Sequence, residues 1–294
     1  MTLEAYLEDR RVEVDRALDG LLPRPEGPAA RLYEAMRYAV FGGGKRLRPA
    51  LAIAVYESLG GSSKAILAPA AALEMVHTYS LVHDDLPAMD DDDLRRGRPT
   101  VHRAFGDAEA ILAGDALLTL AFEVLATHPR EAAAAARADA VALVARRAGA
   151  SGMVGGQTAD LEAERKPAEL AALQWIHAHK TGALLAASAE LGAIHAGAET
   201  ADREAFSRFG HALGLAFQIA DDLLDRTASA AVLGKTPGKD ERAGKATYPA
   251  LLGLTASRRE AERLASVARA EIPASVGDRG ILDALARYAV ERPS

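Results

Sequence analysis

Apolar positions recur every three to four residues along almost the whole chain, and no long stretch alternates apolar with polar at period two. The first pattern belongs to helices with one buried face, the second to half-buried strands. The spacing predicts helices near residues 2–20, 29–41, 48–59, 64–86, 108–126, 131–149, 168–195, 200–226, 247–268 and 278–291. Breaks fall at turn chemistry. Gly42-Gly43-Gly44 ends one helix, Pro49 suits the first turn of the next, and Gly60-Gly61-Ser62-Ser63 separates the third from the fourth. A polar segment from Thr227 to Thr247 interrupts the pattern, and connections of that length in a compact domain are usually functional or disordered. The economical architecture is one all-α domain over residues 1–294.

Composition narrows the classes. Of 294 residues, 49% are hydrophobic and 26% charged, so a sizeable core is available. The absence of cysteine excludes disulfides, thiolate catalysis, zinc ribbons and iron–sulfur clusters. With 41 acids against 35 bases and no basic block, a nucleic-acid partner is not expected. No apolar run approaches the roughly 20 residues of a membrane span, and the first twenty residues lack the apolar region of a secretion signal. A cytoplasmic protein without a membrane span is the expectation.

The acids are not spread evenly. Six aspartates, Asp84, Asp85 and Asp90 to Asp93, occupy ten positions at the end of an apolar helix. Two carboxylates ~4 Å apart repel by roughly 4 kcal/mol at an effective dielectric of 20, so such a group needs a cation or full hydration. His77, Ser80 and Asp84 share one stripe of that helix, and Pro87 should end it and let Asp90 fold back toward Asp84. Gln218, Asp221, Asp222 and Asp225 form a second stripe at i, i+3, i+4 and i+7, opposite Phe209, Leu213, Ala220 and Leu224. Gly210 and Gly214 permit close approach of another helix. A solvated face normally mixes signs, whereas this one carries three carboxylates and no cation. Hard carboxylate oxygens of this kind suit magnesium.

Cations stand beside the acids. Arg95, Arg96 and Arg98 follow the first cluster, fitted either to grip a diphosphate or to neutralise the aspartates. Gly42-Gly43-Gly44-Lys45-Arg46-Leu47-Arg48 is a glycine loop, then cations, then a helix start, which favours an anion without being a nucleotide P-loop. Lys180 lies within an apolar helical stretch and asks for a partner.

Taken in order, GGGKRLRP, HTYSLVHDDLPAMDDDDLRRGRPT, GD-ALL, GGQ-x-x-D, HKTGALL, FQIADDLLD, LGKTPGKD and AGKATYPALLGL resemble the trans-type short-chain isoprenyl diphosphate synthases, bacterial farnesyl diphosphate synthases above all. The resemblance implies an all-α bundle around a central cavity, usually a homodimer, that joins isopentenyl diphosphate to an allylic diphosphate. It implies three magnesium ions, with manganese as the alternative, held by Asp84, Asp85, Asp90, Asp221, Asp222 and Asp225. Arg95, Lys180, Thr181, Gln218, Lys235 and Lys245 would contact the allylic diphosphate, and Lys45, Arg48, His77 and Arg96 the isopentenyl diphosphate. The fourth and fifth residues before Asp84, Ser80 and Tyr79, would set the floor for the growing chain. With a ring at Tyr79 and the Leu86-Pro87-Ala88-Met89 insertion, the implied product is farnesyl diphosphate. Thr227-Ala228-Ser229-Ala230-Ala231 departs from the Gly-Asp pair often found after the second motif.

Other readings stand beside this one: a geranylgeranyl diphosphate synthase, a terpene cyclase, a non-catalytic prenyl-diphosphate-binding subunit, or an acidic calcium-binding protein. A cyclase would need no second diphosphate site and a different second metal motif, and a regulatory subunit would be expected to lose one aspartate motif. The formal charge of −6 resides in the two aspartate clusters. Without the nine aspartates of the two clusters, 32 acids would face 35 bases.

Overall fold

The computed structural model describes residues 1–163, 167, 169–227 and 247–291. Among these the fold is all-α apart from one two-residue hairpin. In chain order the first elements are α1 (Leu3–Leu21), α2 (Ala30–Val40), α3 (Leu47–Ser58) and α4 (Ser63–Asp84). The hairpin β1 (Leu94–Arg95) and β2 (Arg98–Pro99) follows, then α5 (Val101–Phe105), α6 (Asp107–Thr127), α7 (Ala134–Ala148) and α8 (Met153–Ala163). Next come α9 (Leu170–Ile176), a π-helical turn (His177–Gly182), α10 (Ala183–His195) and α11 (Thr200–Thr227). The last elements are α12 (Tyr248–Leu252), α13 (Leu254–Glu271) and α14 (Gly280–Glu291).

Two apolar clusters organise these helices. One surrounds α4, whose Ala70, Ala71, Ala72, Leu73, Met75 and Val76 are fully buried and which packs against α1, α2, α3 and α6. The other surrounds α11, whose Phe206, Phe209, Leu213 and Ile219 pack against α13 and α14. Helices α3 and α10 serve both, Ile53 and Leu184 facing the first cluster and Leu51 and Leu185 the second. The two helices that end in aspartate motifs are therefore each anchored in one apolar cluster, and their carboxylates inherit a rigid base.

Several local expectations change. Helix α8 was not foreseen, because Gly152, Gly155 and Gly156 depress intrinsic propensity. Tertiary packing overrides it: a Cβ on Gly156 would lie 2.3 Å from the Lys180 backbone nitrogen, so only glycine admits the π turn. The stretch 168–195 is not one regular helix but is widened at His177–Gly182, and the stretch 247–268 is broken by Gly253 at φ 79°. The hairpin turns on Arg96 and Gly97, both at positive φ, as two-residue hairpin loops require. Helices α4 and α6 are each long and apolar enough to cross a membrane by length and composition, contrary to the expectation that no stretch comes near. Two thirds of the apolar window of α4 is buried in the protein, which makes it a core helix.

Gly210 and Gly214 perform the service their spacing suggests. A Cβ on Gly210 would stand 2.5 Å from the Leu185 carbonyl oxygen, and one on Gly214 2.8 Å from the Gly182 Cα. Backbone cannot yield as a flexible side chain can, so Gly210→Ala should separate α10 from α11 and cost about 1–3 kcal/mol. Equilibrium urea unfolding checks this; unchanged stability would mean that the two helices can part freely.

Candidate active site

Helix α4 stops at Asp84, and Pro87 follows three residues later. The chain then folds back: the Asp90 N–H donates to the Asp84 carbonyl at 2.9 Å, and the Asp92 N–H to the Asp85 carbonyl at 3.2 Å. The predicted return of Asp90 to Asp84 is thus made through the backbone. Asp85 is buried, and Arg95 Nε donates to both of its carboxylate oxygens at 2.8 Å. Arg103 pairs with Asp93 and approaches Asp91 at 3.9 Å. The three arginines expected to act together are split. Arg95 neutralises Asp85, Arg96 donates to the Gly43 carbonyl, and Arg98 lies over the Tyr38 ring at 4.3 Å.

The π turn supplies the partner that Lys180 needs. Its Nζ donates to Asp160 of α8 at 2.7 Å, and its charge also acts on Asp84. The next residue, Thr181, donates its hydroxyl to Gln218 Oε1 on α11 at 2.8 Å. A single wide turn therefore brings a positive charge to bear on the first aspartate motif and a hydrogen bond to the stripe of the second, and π segments are frequent at functional sites. Asp222 is 8% exposed and accepts from Gln218 Nε2 at 3.3 Å and from the Tyr248 N–H at 3.0 Å. The His177 ring stacks on Tyr248 with its Nε2 3.9 Å from Asp222, and burial pushes the imidazole down to about 4, so it is neutral. Asp221 and Asp225 are half-buried on α11, and the charge of Asp221 reaches Arg48.

The third part is the loop before α3. Arg46, at φ 50°, turns inward and is 3% exposed. It donates to Asp15 of α1 at 2.8 Å, to Glu74 of α4 at 2.8 Å and to the Val40 carbonyl at 2.7 Å. Anchored there, the loop turns Lys45 to the surface. Arg48 has its Nε buried with no acceptor among the described residues. Glu74 is the chief opposite charge felt by both Arg48 and Arg96. Burial, then Arg48, Arg96, Arg95 and Arg46, holds His77 well below its usual value and hence neutral. Ser80 donates to the His77 carbonyl at 2.9 Å, and Tyr79 is buried. A cleft of about 480 Å³, open solvent included, runs along the neighbouring face of α4, lined by Thr78, Leu81, Asp85, Arg95 and Arg96.

Lys235, Lys239, Lys245 and the departure at 228–231 lie outside the described residues. Asp160, Glu74 and Arg46 were assigned no role from sequence. Asp160 closes the GGQ-x-x-D motif and was visible there, whereas the inward turn of Arg46 has no sequence signal.

A family model described as polyprenyl synthetase matches residues 29–278. The chain belongs to the polyprenyl synthetase family. It is 48% identical over 266 residues to the farnesyl diphosphate synthase of Escherichia coli (strain K12), covering 88% of each chain. It is 46% identical to the geranylgeranyl diphosphate synthase of Cyanophora paradoxa, covering 92% of this chain and 90% of that one. The solved structure of an FPP/GFPP synthase from Zymomonas mobilis superposes with a TM-score of 0.86 at 42% identity, covering 98% of each chain. This member is a short-chain trans-prenyltransferase, and its relatives' names divide between farnesyl and geranylgeranyl products.

The donor set of this prenyltransferase suits a hard divalent cation. Burial raises the Asp84 carboxyl to about 6; the Lys180 charge opposes the rise, and Asp90 and Asp85 add to it. Among the described residues no three carboxylates already stand as a cation's ligand shell, and Asp85 and Asp222 are turned to Arg95 and Tyr248. Ionised Asp84 thus burdens the fold in the absence of a cation. Because its folded value lies above the ordinary 3.8, the burden is nil below about pH 4, grows between pH 4 and 6, and is complete above. In EDTA, Asp84→Asn should match the native chain near pH 4 and exceed it in unfolding free energy by on the order of 3 kcal/mol at pH 7.5. Urea titrations across that range read the difference; a pH-independent gap would refute the assignment.

Proposed function

We propose that the chain condenses isopentenyl diphosphate with dimethylallyl diphosphate and then with geranyl diphosphate, giving farnesyl diphosphate and pyrophosphate. Asp84, Asp85, Asp90, Asp221, Asp222 and Asp225 would hold magnesium, which when bound polarises the allylic diphosphate as a Lewis acid. Lys180 stands between the two motifs, paired with Asp160, and would move part of its charge to the leaving diphosphate as negative charge develops there. Arg95 is in position to do the same once Asp85 has another partner. Thr181 and Gln218, bonded to each other, would orient the same group. Lys45, Arg48 and Arg96 would bind the diphosphate of isopentenyl diphosphate, with neutral His77 as a further donor. The allylic C–O bond breaks with its electron pair on the diphosphate oxygen, the isopentenyl double bond attacks the cation, and a proton then passes to the released diphosphate. Apolar walls must exclude water, which would otherwise trap the cation as an alcohol.

One observation carries the fifteen-carbon product. Tyr79 stands five residues before Asp84, ~7.5 Å along the helix, is 7% exposed, and feels the Asp84 charge. Its ring is braced edge-to-face against His83 with centroids 5.7 Å apart, and such a ring is hard to push aside. Purified protein with magnesium, labelled isopentenyl diphosphate and each allylic starter provides the test, with product length read by chromatography. Farnesyl diphosphate should dominate, and Tyr79→Ala should shift most product to twenty carbons or beyond. A Tyr79→Ala variant that still stops at fifteen would remove Tyr79 as the floor, and failure to elongate at all with magnesium would overturn the whole reading.

A further inference from the structure

One contact at the loop before α3 involves a residue outside every motif. Lys45 donates from Nζ to the phenolic oxygen of Tyr288 at 2.9 Å, and the same nitrogen lies 5.5 Å from the centre of the Tyr288 ring. Tyr288 belongs to α14, beyond residue 278 where the family match ends. That helix is well anchored. Leu282, Leu285, Ala286 and Ala289 are buried, Arg269 Nε donates to Asp283 at 3.0 Å, and Arg279 donates to the Arg269 carbonyl at 2.7 Å. A rigid element therefore presents the phenol to an exposed loop.

An exposed lysine populates many rotamers and forfeits most of that freedom when it grips an anion. The hydroxyl of Tyr288 removes part of the freedom beforehand, through a hydrogen bond from a nitrogen that sits beyond the ring edge, close to the C–O axis. We infer that Tyr288 is a positioning residue of the isopentenyl diphosphate site, presetting Lys45 for the diphosphate that this lysine holds. The inference rests on the reading of Lys45 given above, and it makes the last helix part of substrate recognition. Tyr288 is half-buried at the edge of α14, so its replacement leaves the apolar face of that helix intact.

Steady-state kinetics of Tyr288→Phe, Tyr288→Leu, Lys45→Ala and the Lys45→Ala/Tyr288→Leu double variant test it, each substrate being varied in turn. Tyr288→Phe, which removes only the hydroxyl, and Tyr288→Leu should each raise KM for isopentenyl diphosphate about fivefold. For both, kcat and KM for geranyl diphosphate should stay within about twofold of the native values. The double variant should be no worse than Lys45→Ala, since Tyr288 acts chiefly through that lysine. A strong effect of Lys45→Ala with none from Tyr288→Leu, or equal losses for both substrates, would overturn the inference alone. No effect of Lys45→Ala would overturn the site reading together with it.

Discussion

Like-charge repulsion at the ends of α4 and α11 is the constraint to which the rest of the molecule answers. Each pair of carboxylates at contact distance costs about 4 kcal/mol at an effective dielectric of 20, and burial adds to that cost. Every neighbouring element delivers a counterweight. The hairpin brings Arg95 to Asp85, α5 brings Arg103 to Asp91 and Asp93, and the π turn brings Lys180 near Asp84. On α11, the Tyr248 N–H and the Gln218 amide hold Asp222. The clusters persist because two deeply packed helices give them no room to spread.

The same problem recurs with the sign reversed at the loop before α3. Arg46, Arg48 and Arg96 converge there, and Glu74 from α4 is their shared counterion. Breaking a buried pair by removing one partner is far costlier than the pair itself is favourable. Arg46 and Glu74 are thus best understood as a brace that keeps Lys45 facing outward. Neutral His77 lies among the arginines and adds no further charge to them. Glu74, the counterion of the arginines, and Asp84, the first of the acids, stand on one helix, about 15 Å apart along its axis.

Much of this was legible beforehand. Periodicity located the long helices, since their buried faces are continuous, and Pro87 correctly foretold the return of Asp90 to Asp84. Gly210 and Gly214 announced a close helix contact, and α10 is what fills it. The failures share a cause. Helix α8, the π turn and the break at Gly253 each depend on a partner distant in sequence or on one backbone angle that composition does not encode. The three arginines after the first motif look equivalent in sequence, yet they end on a carboxylate, a backbone carbonyl and an aromatic ring.

The sequence by itself determined the family, the all-α architecture and the inventory of charged groups, because motif spacing and helical period are local properties. Which charge faces which was decided only by the tertiary structure. Lys180 meets Asp160 across two helices, and Lys45 meets Tyr288 from 243 residues away. Coulombic energy depends on distance and burial rather than on chain order, so the same residues become brace, counterion or candidate ligand only once the helices are packed.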